Sequence, residues 1–235
     1  MSRKSIPING LCFDKDGTLF DFATTWEAWA AAFLLRATEG DTAHAAQVGQ
    51  AIGFDLDKRK FATDSIVIAG TPQEVTAAIA PFFTHMSEAG LLEMLNEEAA
   101  LAPQMPAVPL VPLLNGFRAA GLKLGVATND SEAPARAHLD GAGVTGLFDF
   151  IAGYDSGYGG KPAAGQLLAF AAAVDLPPEQ IVMVGDSTHD LHAGRTAGMR
   201  TVAVLTGGAV ADQLAPLADV VLRDIGEIPA WLETQ

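Results

Sequence analysis

Five short apolar runs limit what this chain can fold into. They lie at residues 10–13, 124–127, 181–184, 201–205 and 219–222. Unbroken apolar runs of this length are typical of strands that are buried on both faces, as in a parallel sheet covered by helices. The first three runs end abruptly, because polar clusters beginning at Asp14, Thr128 and Gly185 follow them at once. The pattern predicts a parallel sheet with polar side chains at the ends of its strands.

Helical segments separate most of these runs. The expected helices span residues 112–120, 131–140, 163–174 and 189–198. An alternation of strand and helix from residue 108 onward is α/β in character.

The stretch between the first two runs has a different pattern. Residues 20–103 contain no convincing strand and are rich in Ala, Leu, Glu and Gln. Capping boxes at Thr24-x-x-Glu27 and Thr71-x-x-Glu74 indicate two helix starts, the second with Pro72 at the favoured first position. The expected helices span residues 25–38, 42–52, 72–83 and 87–101. A proline at every third position from 103 to 112 favours an extended connector.

These patterns predict an α/β core with a parallel sheet and an inserted all-helical domain. The core is expected to comprise residues 1–19 and 105–235. Residues 20–104, called the insert below, are expected to form the helical domain. A chain of 235 residues is long enough for both.

Composition excludes several classes of function. Hydrophobic residues make up 49% of the chain, which supports a substantial core and argues against disorder. The formal charge of −14 predicts repulsion from nucleic acids and anionic membranes. A single cysteine excludes an intramolecular disulfide framework and a multi-cysteine zinc site. Without a signal-peptide pattern or a run long enough to span a bilayer, the expectation is a soluble cytoplasmic protein of undetermined oligomeric state.

The polar clusters point to phosphoryl chemistry. In open α/β sheets, ligands bind beyond the carboxyl ends of the strands, so the clusters should converge there. They supply carboxylates, hydroxyls, free backbone N–H groups and the ammonium of Lys161. Hard divalent cations such as Mg²⁺ prefer carboxylate oxygens, and a carboxylate can attack phosphorus. Gly17 permits a sharp turn by which Asp16 could reach past Asp14 and transfer protons.

The ordered motifs resemble those of the haloacid dehalogenase superfamily. The likeness extends over nearly the whole chain, although the insert matches only in length and helical character. The motifs are Asp14-x-Asp16-Gly17-Thr18, Thr128-Asn129, Lys161-Pro162 and Gly185-Asp186-x-x-x-Asp190. A helical insert after the first motif is similar to the phosphoglycolate phosphatase-like group, in which the insert is a cap. The resemblance implies a Rossmann-like core and a cytoplasmic phosphatase that cleaves a small phosphorylated metabolite through an aspartyl-phosphate. Phosphoglycolate is the substrate that the resemblance favours.

The resemblance also implies residue roles. Asp14 would be the nucleophile and Asp16 the general acid/base, with Lys161 tying phosphate to the nucleophile. The implied substrate-binding residues are Thr18, Thr128, Asn129 and Lys161. The implied ligands of Mg²⁺ are Asp14, the backbone carbonyl of Asp16, Asp186 and, as an alternative or in the second coordination sphere, Asp190.

The chain departs from the family pattern at two positions. Neither position has a role in the reaction, so the departures bear on the subgroup to which the chain is assigned and not on the chemistry. Lys15 occupies a position that is more often apolar, and Ala163-Ala164 follows Lys161-Pro162 where a proline is common. Three other functions stay open: a sugar-phosphate mutase with the same motifs, a dehalogenase that needs neither Asp16 nor a metal, and a non-catalytic phosphate-binding module.

Several tempting side chains are expected to be structural. Cys12 should be a buried small hydrophobe, and the spacing of Trp26, Trp29 and Phe33 favours the core of the insert over a substrate-stacking surface. Histidines with no ligand spacing are expected on surfaces or helix faces. These are His44, His85, His138 and His192. The cluster at residues 58–60 is interpreted as a solvated basic face.

Overall fold

A computed structural model describes residues 6–62, 64–68 and 70–235; residues 1–5 of the expected core segment lie outside the described residues. The strands in chain order are β1 (Gly10–Phe13), β2 (Phe54–Asp55), β3 (Lys60–Phe61), β4 (Lys123–Ala127), β5 (Phe150–Ala152), β6 (Ile181–Gly185), β7 (Arg200–Val204) and β8 (Val220–Leu222). Six of them form one parallel sheet in the order β5-β4-β1-β6-β7-β8. This Rossmann-like sheet confirms the predicted fold class.

The helices follow the predicted segments closely. In chain order they are α1 (Phe22–Ala37), α2 (Thr42–Ala51), α3 (Pro72–Ile79), α4 (Glu88–Ala100), α5 (Leu110–Ala119), α6 (Glu132–Gly141), α7 (Gly165–Ala173), α8 (Thr188–Ala197), α9 (Ala211–Leu214) and α10 (Ile228–Leu232). The capping box of Thr71 and Glu74 is present at α3. The box predicted at Thr24 is wrong, because Asp21 is the N-cap of α1 and accepts a hydrogen bond from the backbone N–H of Thr24.

Both faces of the sheet are buried, as the unbroken apolar runs predict. In β1, Leu11 and Phe13 pack in the cluster that includes Leu114 of α5, whereas Cys12 points to the opposite cluster with Phe170 of α7. All three β1 side chains are completely buried. Strand alternation accounts for the division, since successive side chains point to opposite faces.

The strand register brings the polar clusters together. Phe13 at the end of β1 pairs with Val126 of β4 on one side and with Val184 of β6 on the other. The residues that follow the three strands therefore emerge side by side at the carboxyl edge of the sheet. This is the edge at which open α/β sheets bind ligands.

The insert has its own apolar cluster, built around Trp29, Phe33 and Leu95. It is not all helical, which corrects the sequence prediction: β2 and β3 form a short antiparallel hairpin in which Phe54 pairs with Phe61. Two-residue strands leave no periodic pattern to detect, and the aromatic pair holds the hairpin against the helices.

The outgoing and returning chains of the insert hydrogen-bond to each other where they leave the core. The N–H of Asp21 donates to the carbonyl of Met105 (2.8 Å), and the N–H of Ala107 donates to that of Leu19 (2.9 Å). These contacts lie close to the predicted boundaries at 19/20 and 104/105, which stay a prediction. Within the described residues, no helix has the length and apolar character needed to cross a bilayer.

Candidate active site

A cavity lies between the carboxyl edge of the sheet and the insert. Side chains of all four sequence motifs line its floor, including Asp14, Asp16, Lys161, Asp186 and Asp190. Thr128 and Asn129, after β4, line it as well. The opposite wall comes from the insert. The convergence that the sequence predicts is therefore present in the structure.

The turn after β1 depends on Gly17. This residue has a φ of 81°, and a Cβ atom there would lie 2.5 Å from Oδ2 of Asp186. Glycine is required because it alone accepts that backbone conformation without strain and leaves room for the carboxylate. The tight turn brings the first and fourth motifs into contact.

Thr18, predicted to bind substrate, lies beneath the cavity, and that role stays a prediction. Its side chain is completely buried and does not line the cavity. Its hydroxyl instead donates to Oδ1 of Asp186, at 3.4 Å. The sharp turn at Gly17 turns Thr18 inward behind Asp186, so its contact is with that carboxylate and not with the cavity.

Lys161 joins the carboxylates of two different strand ends. Its Nζ donates to Oδ1 of Asp14 at 2.5 Å and to Oδ1 of Asp190 at 2.6 Å. Asn129 fixes the backbone of the same lysine: its Nδ2 donates to the Lys161 carbonyl at 2.9 Å, and its Oδ1 accepts from the Lys161 N–H at 2.7 Å. The motif after β4 thus positions the lysine.

Asp190 is held from the other side by the start of α8. Ser187 is the N-cap of this helix and forms a capping box with Asp190. Oδ2 of Asp190 accepts from the N–H and the hydroxyl of Ser187, at 3.0 and 2.7 Å. With Oδ1 bonded to Lys161, this carboxylate is oriented by the helix cap as well as by the lysine.

The carboxylate cluster fits a hard divalent cation. Asp14, Asp186 and Asp190 each offer an oxygen atom, and the three atoms lie within 4.8 Å of one another. Burial raises the pKa of the Asp14 carboxyl to about 7, against the opposing effect of Lys161, and Asp190 raises it further. Burial also raises the pKa of Asp186, with added repulsion from Asp190 and Asp14. Carboxylate oxygens are the ligands that hard divalent cations prefer, and a cation would offset the repulsion among these groups.

Comparison with known proteins identifies the family. The family model described as haloacid dehalogenase-like hydrolase matches residues 8–198. This span includes all four motifs and the insert. The chain belongs to the haloacid dehalogenase-like hydrolase family.

Relatives within the family agree with the predicted resemblance. A phosphoglycolate phosphatase of Rhodospirillum rubrum is 31% identical over 188 residues, which cover 79% of this chain and 73% of the relative. A Dickeya dadantii protein named "Probable phosphatase IndB" is 30% identical over 90% of this chain and 87% of its own. The crystal structure of a predicted phosphoglycolate phosphatase from Haemophilus somnus 129pt shares the fold, with a TM-score of 0.70, 21% identity and coverage of 97% and 98%. The predictions of a hydrolase and of a likeness to the phosphoglycolate phosphatase group are confirmed.

A second buried ammonium lies behind the site of this hydrolase. Lys15, which departs from the usual apolar residue, is completely buried. Its Nζ lies 2.7 Å from Oδ1 of Asp16 and 3.2 Å from Oδ2 of Asp130. Although burial lowers the pKa of Lys15, the two carboxylates outweigh it and the pKa is raised. Lys15 therefore stays charged and holds Asp16 at the cavity.

His138 links this ammonium to the insert. Nζ of Lys15 donates to Nδ1 of His138 (2.8 Å), so Nε2 carries the proton and donates to the carbonyl of Ala99 in α4 (2.6 Å). Burial, aided by the charge of Lys15, lowers the pKa of His138 to about 4, so the ring is neutral. His138 lies on a helix face, one of the two positions expected for it, but on the buried face of α6 and not at the surface. The signal that could have revealed the network is the lysine inside the first motif.

Other expectations have mixed outcomes. Cys12 is buried as predicted, and burial raises the pKa of its thiol to about 12. The basic cluster at residues 58–60 is exposed, as interpreted. Phe33 lies in the core of the insert, but Trp26 and Trp29 both pack there and line the cavity. Helical spacing predicts the buried face correctly but cannot show which part of it borders a cavity.

Replacing Lys15 with Met is expected to destabilise the protein by about 3 kcal/mol, because Asp16 and Asp130 lose their shared counter-charge in a buried setting. The free energy of unfolding, measured with urea, tests this. Lys123→Met is the matched control, because Lys123 is exposed and lies 3.7 Å from Asp149; it is expected to cost less than about 1 kcal/mol. Equal stability of the two variants would contradict the prediction.

The metal-free protein is expected to lose stability as the pH rises from about 5.5 to about 8. Burial raises the pKa of Asp14 to about 7 and that of Asp130 to about 6, so the folded state binds more protons than the unfolded chain. The stability that these two carboxyl groups contribute is full when the pH is below their pKa in the unfolded chain, near 3.9, and it is lost as the pH rises through their pKa values in the folded protein. His138, with its lowered pKa, acts in the opposite direction but is one group against two. Thermal unfolding in EDTA would measure the slope; higher stability at pH 8 would refute it.

Proposed function

We propose that this hydrolase cleaves small phosphomonoesters through an aspartyl-phosphate formed on Asp14, with Mg²⁺ as cofactor. The observation that carries the proposal is the placement of Asp14 between Lys161, at 2.5 Å, and two further carboxylates that could share a cation with it. Because the Asp14 carboxylate and the phosphoryl group are both anionic, positive charge must offset their repulsion as they approach each other. Lys161 and the cation would supply that offset.

In the first step, a carboxylate oxygen of Asp14 attacks phosphorus and the bond to the leaving oxygen breaks. Asp16 lies two residues away at the cavity, and as a carboxylic acid it would give its proton to the leaving alkoxide. In the second step Asp16, now a carboxylate, takes a proton from water as the water attacks phosphorus. The phosphorus–oxygen bond to Asp14 then breaks, which releases inorganic phosphate and restores the Asp14 carboxylate.

The remaining motif residues would hold the phosphoryl group and the cation. Thr128 lines the cavity next to Asp14, and Asn129 acts by fixing the backbone of Lys161. Asp14, the backbone carbonyl of Asp16, and Asp186 would bind Mg²⁺, while Asp190 orients Lys161 and could serve as a further ligand. When bound, Mg²⁺ would withdraw negative charge from the phosphoryl oxygens.

Release of inorganic phosphate from p-nitrophenyl phosphate tests the proposal. We expect turnover with Mg²⁺, loss of turnover in EDTA and its return when Mg²⁺ is added back. The alternatives predict other results. A mutase would isomerise glucose 1-phosphate without releasing phosphate, a dehalogenase would stay active in EDTA, and a binding module would show no turnover at all.

A further inference from the structure

The insert covers the site with an apolar wall. Among the described residues of the insert that line the cavity are Phe22, Trp26, Trp29, Ile68, Val75 and Leu95, and the others of this wall are also apolar or glycine. Of its two indole N–H groups, that of Trp29 donates to the carbonyl of Leu95 (3.2 Å). That of Trp26 is buried and has no hydrogen-bond partner among the described residues, so it is the single polar side-chain group of this wall left unpaired.

The cations of the insert lie elsewhere. Arg36 is bound to Glu97 and Glu98 on the outer surface, and Lys58, Arg59 and Lys60 belong to the exposed end of the hairpin. These are all the lysines and arginines between residues 20 and 104. None of them lines the cavity in the described part of the chain.

On the floor of the cavity, each lysine among the described residues is already paired with carboxylates. Lys161 already contacts Asp14 and Asp190, and Lys15 already contacts Asp16 and Asp130. A second anionic group on the substrate, next to the phosphate, would thus lie close to several carboxylates with no unpaired lysine or arginine of the described chain beside it; Thr128 and His189 are uncharged or weakly basic donors on the floor and do not replace such a cation. Burying an unpaired charge is strongly unfavourable. The several hydroxyls of a sugar would meet a single unpaired donor on the wall, the indole N–H of Trp26.

From this wall we infer that the substrate is a phosphomonoester whose alcohol part is uncharged and apolar, such as an aryl-methyl or branched alkyl group. The inference rests on the proposed phosphatase function and specifies its substrate class. It departs from the carboxylate-bearing phosphoglycolate that the family resemblance favours. Trp26 and Trp29, with ring centroids 5.3 Å apart and nearly perpendicular, offer ring surfaces to such a group.

The test compares four alkyl esters with Mg²⁺ present: benzyl phosphate, phosphoglycolate, the methyl ester of phosphoglycolate and glucose 6-phosphate. We expect kcat/KM for benzyl phosphate to exceed that for phosphoglycolate by about 100-fold, because the ring gains apolar burial and the carboxylate loses hydration. The methyl ester has almost the size of phosphoglycolate but lacks the carboxylate charge. Its kcat/KM should fall between the values for phosphoglycolate and benzyl phosphate. A preference for phosphoglycolate or for glucose 6-phosphate would overturn the inference while leaving the phosphatase function intact.

A variant of the wall provides a second test. Ile68 is half-buried on a loop that lines the cavity. Ile68→Lys is expected to raise kcat/KM for phosphoglycolate about 10-fold and to lower that for benzyl phosphate, because it adds a cation to the wall. Val111→Lys, which adds the same charge on the exposed face of α5 outside the cavity, is the control and should leave the ratio at that of the wild type. An unchanged ratio in Ile68→Lys would count against the inference. If no ester is hydrolysed by the wild type, the proposed function fails first, and this inference with it.

Discussion

Replacing Asp14 with Asn is expected to reduce the turnover of p-nitrophenyl phosphate with Mg²⁺ by roughly four orders of magnitude or more. The amide is a poor nucleophile, so no phosphoryl-enzyme forms, and one of the three clustered carboxylates that could bind a cation is lost. A steady-state assay of p-nitrophenol release measures the effect. Intact-mass analysis of quenched reactions should show a phosphorylated species in the wild type and none in the variant.

Loss of activity in Asp14→Asn should not come from loss of structure. Burial raises the pKa of Asp14 to about 7, which means that its ionised form is disfavoured in the folded state. Removing this charge should leave the melting temperature in EDTA at pH 8 equal to or above that of the wild type. Asp140→Asn is the matched control, because Asp140 is exposed on α6 and far along the chain from the motifs. Activity within 10-fold of the wild type in Asp14→Asn would refute the nucleophile assignment; this threshold is about 1.4 kcal/mol.

Apolar runs and helical periodicity in the sequence predicted most strands of the sheet and most helices. The strands that they did not predict have only two or three residues each. The runs that became β1, β4, β6, β7 and β8 are apolar because helices cover both faces. Strand β5 has three residues at the edge of the sheet, and the hairpin of the insert has two residues in each strand. Such elements are held by pairing with neighbours already in place, so their own residues carry little signal.

The site was predicted at the level of motifs but not at the level of contacts. Chain order and strand register suffice to bring Asp14 beside Asp186, because both follow parallel neighbours. The network of Lys15, Asp130 and His138 joins distant segments through side-chain geometry, which no spacing rule encodes. The sequence showed Lys15 between two motif aspartates as a departure from the family pattern. Its burial explains the departure, because the ammonium offsets the negative charge of carboxylates that are largely shielded from water.

Replacing Asp16 with Ala is expected to separate the two chemical steps. With p-nitrophenyl phosphate, the leaving group departs without a proton, so the first step should survive. The second step needs a base to activate water, and its loss should slow steady turnover by about 1,000-fold. Stopped-flow absorbance should therefore show a burst of p-nitrophenol equal to the enzyme concentration, followed by a slow phase.

An alkyl ester should behave differently with Asp16→Ala, because its alkoxide leaves only if it is protonated. Benzyl phosphate should show no burst and a loss of turnover in the first step. Asp140→Ala is the control and should match the wild type with both esters. In Asp16→Ala, Lys15 keeps Asp130 as a partner, so the fold around position 16 retains an ion pair. Equal slowing of both esters without a burst would mean that Asp16 does not transfer the proton. The contact with Lys15 would then be structural, and the acid would have to be sought among the other cavity residues, such as His189, which lies inside the fourth motif at the start of α8.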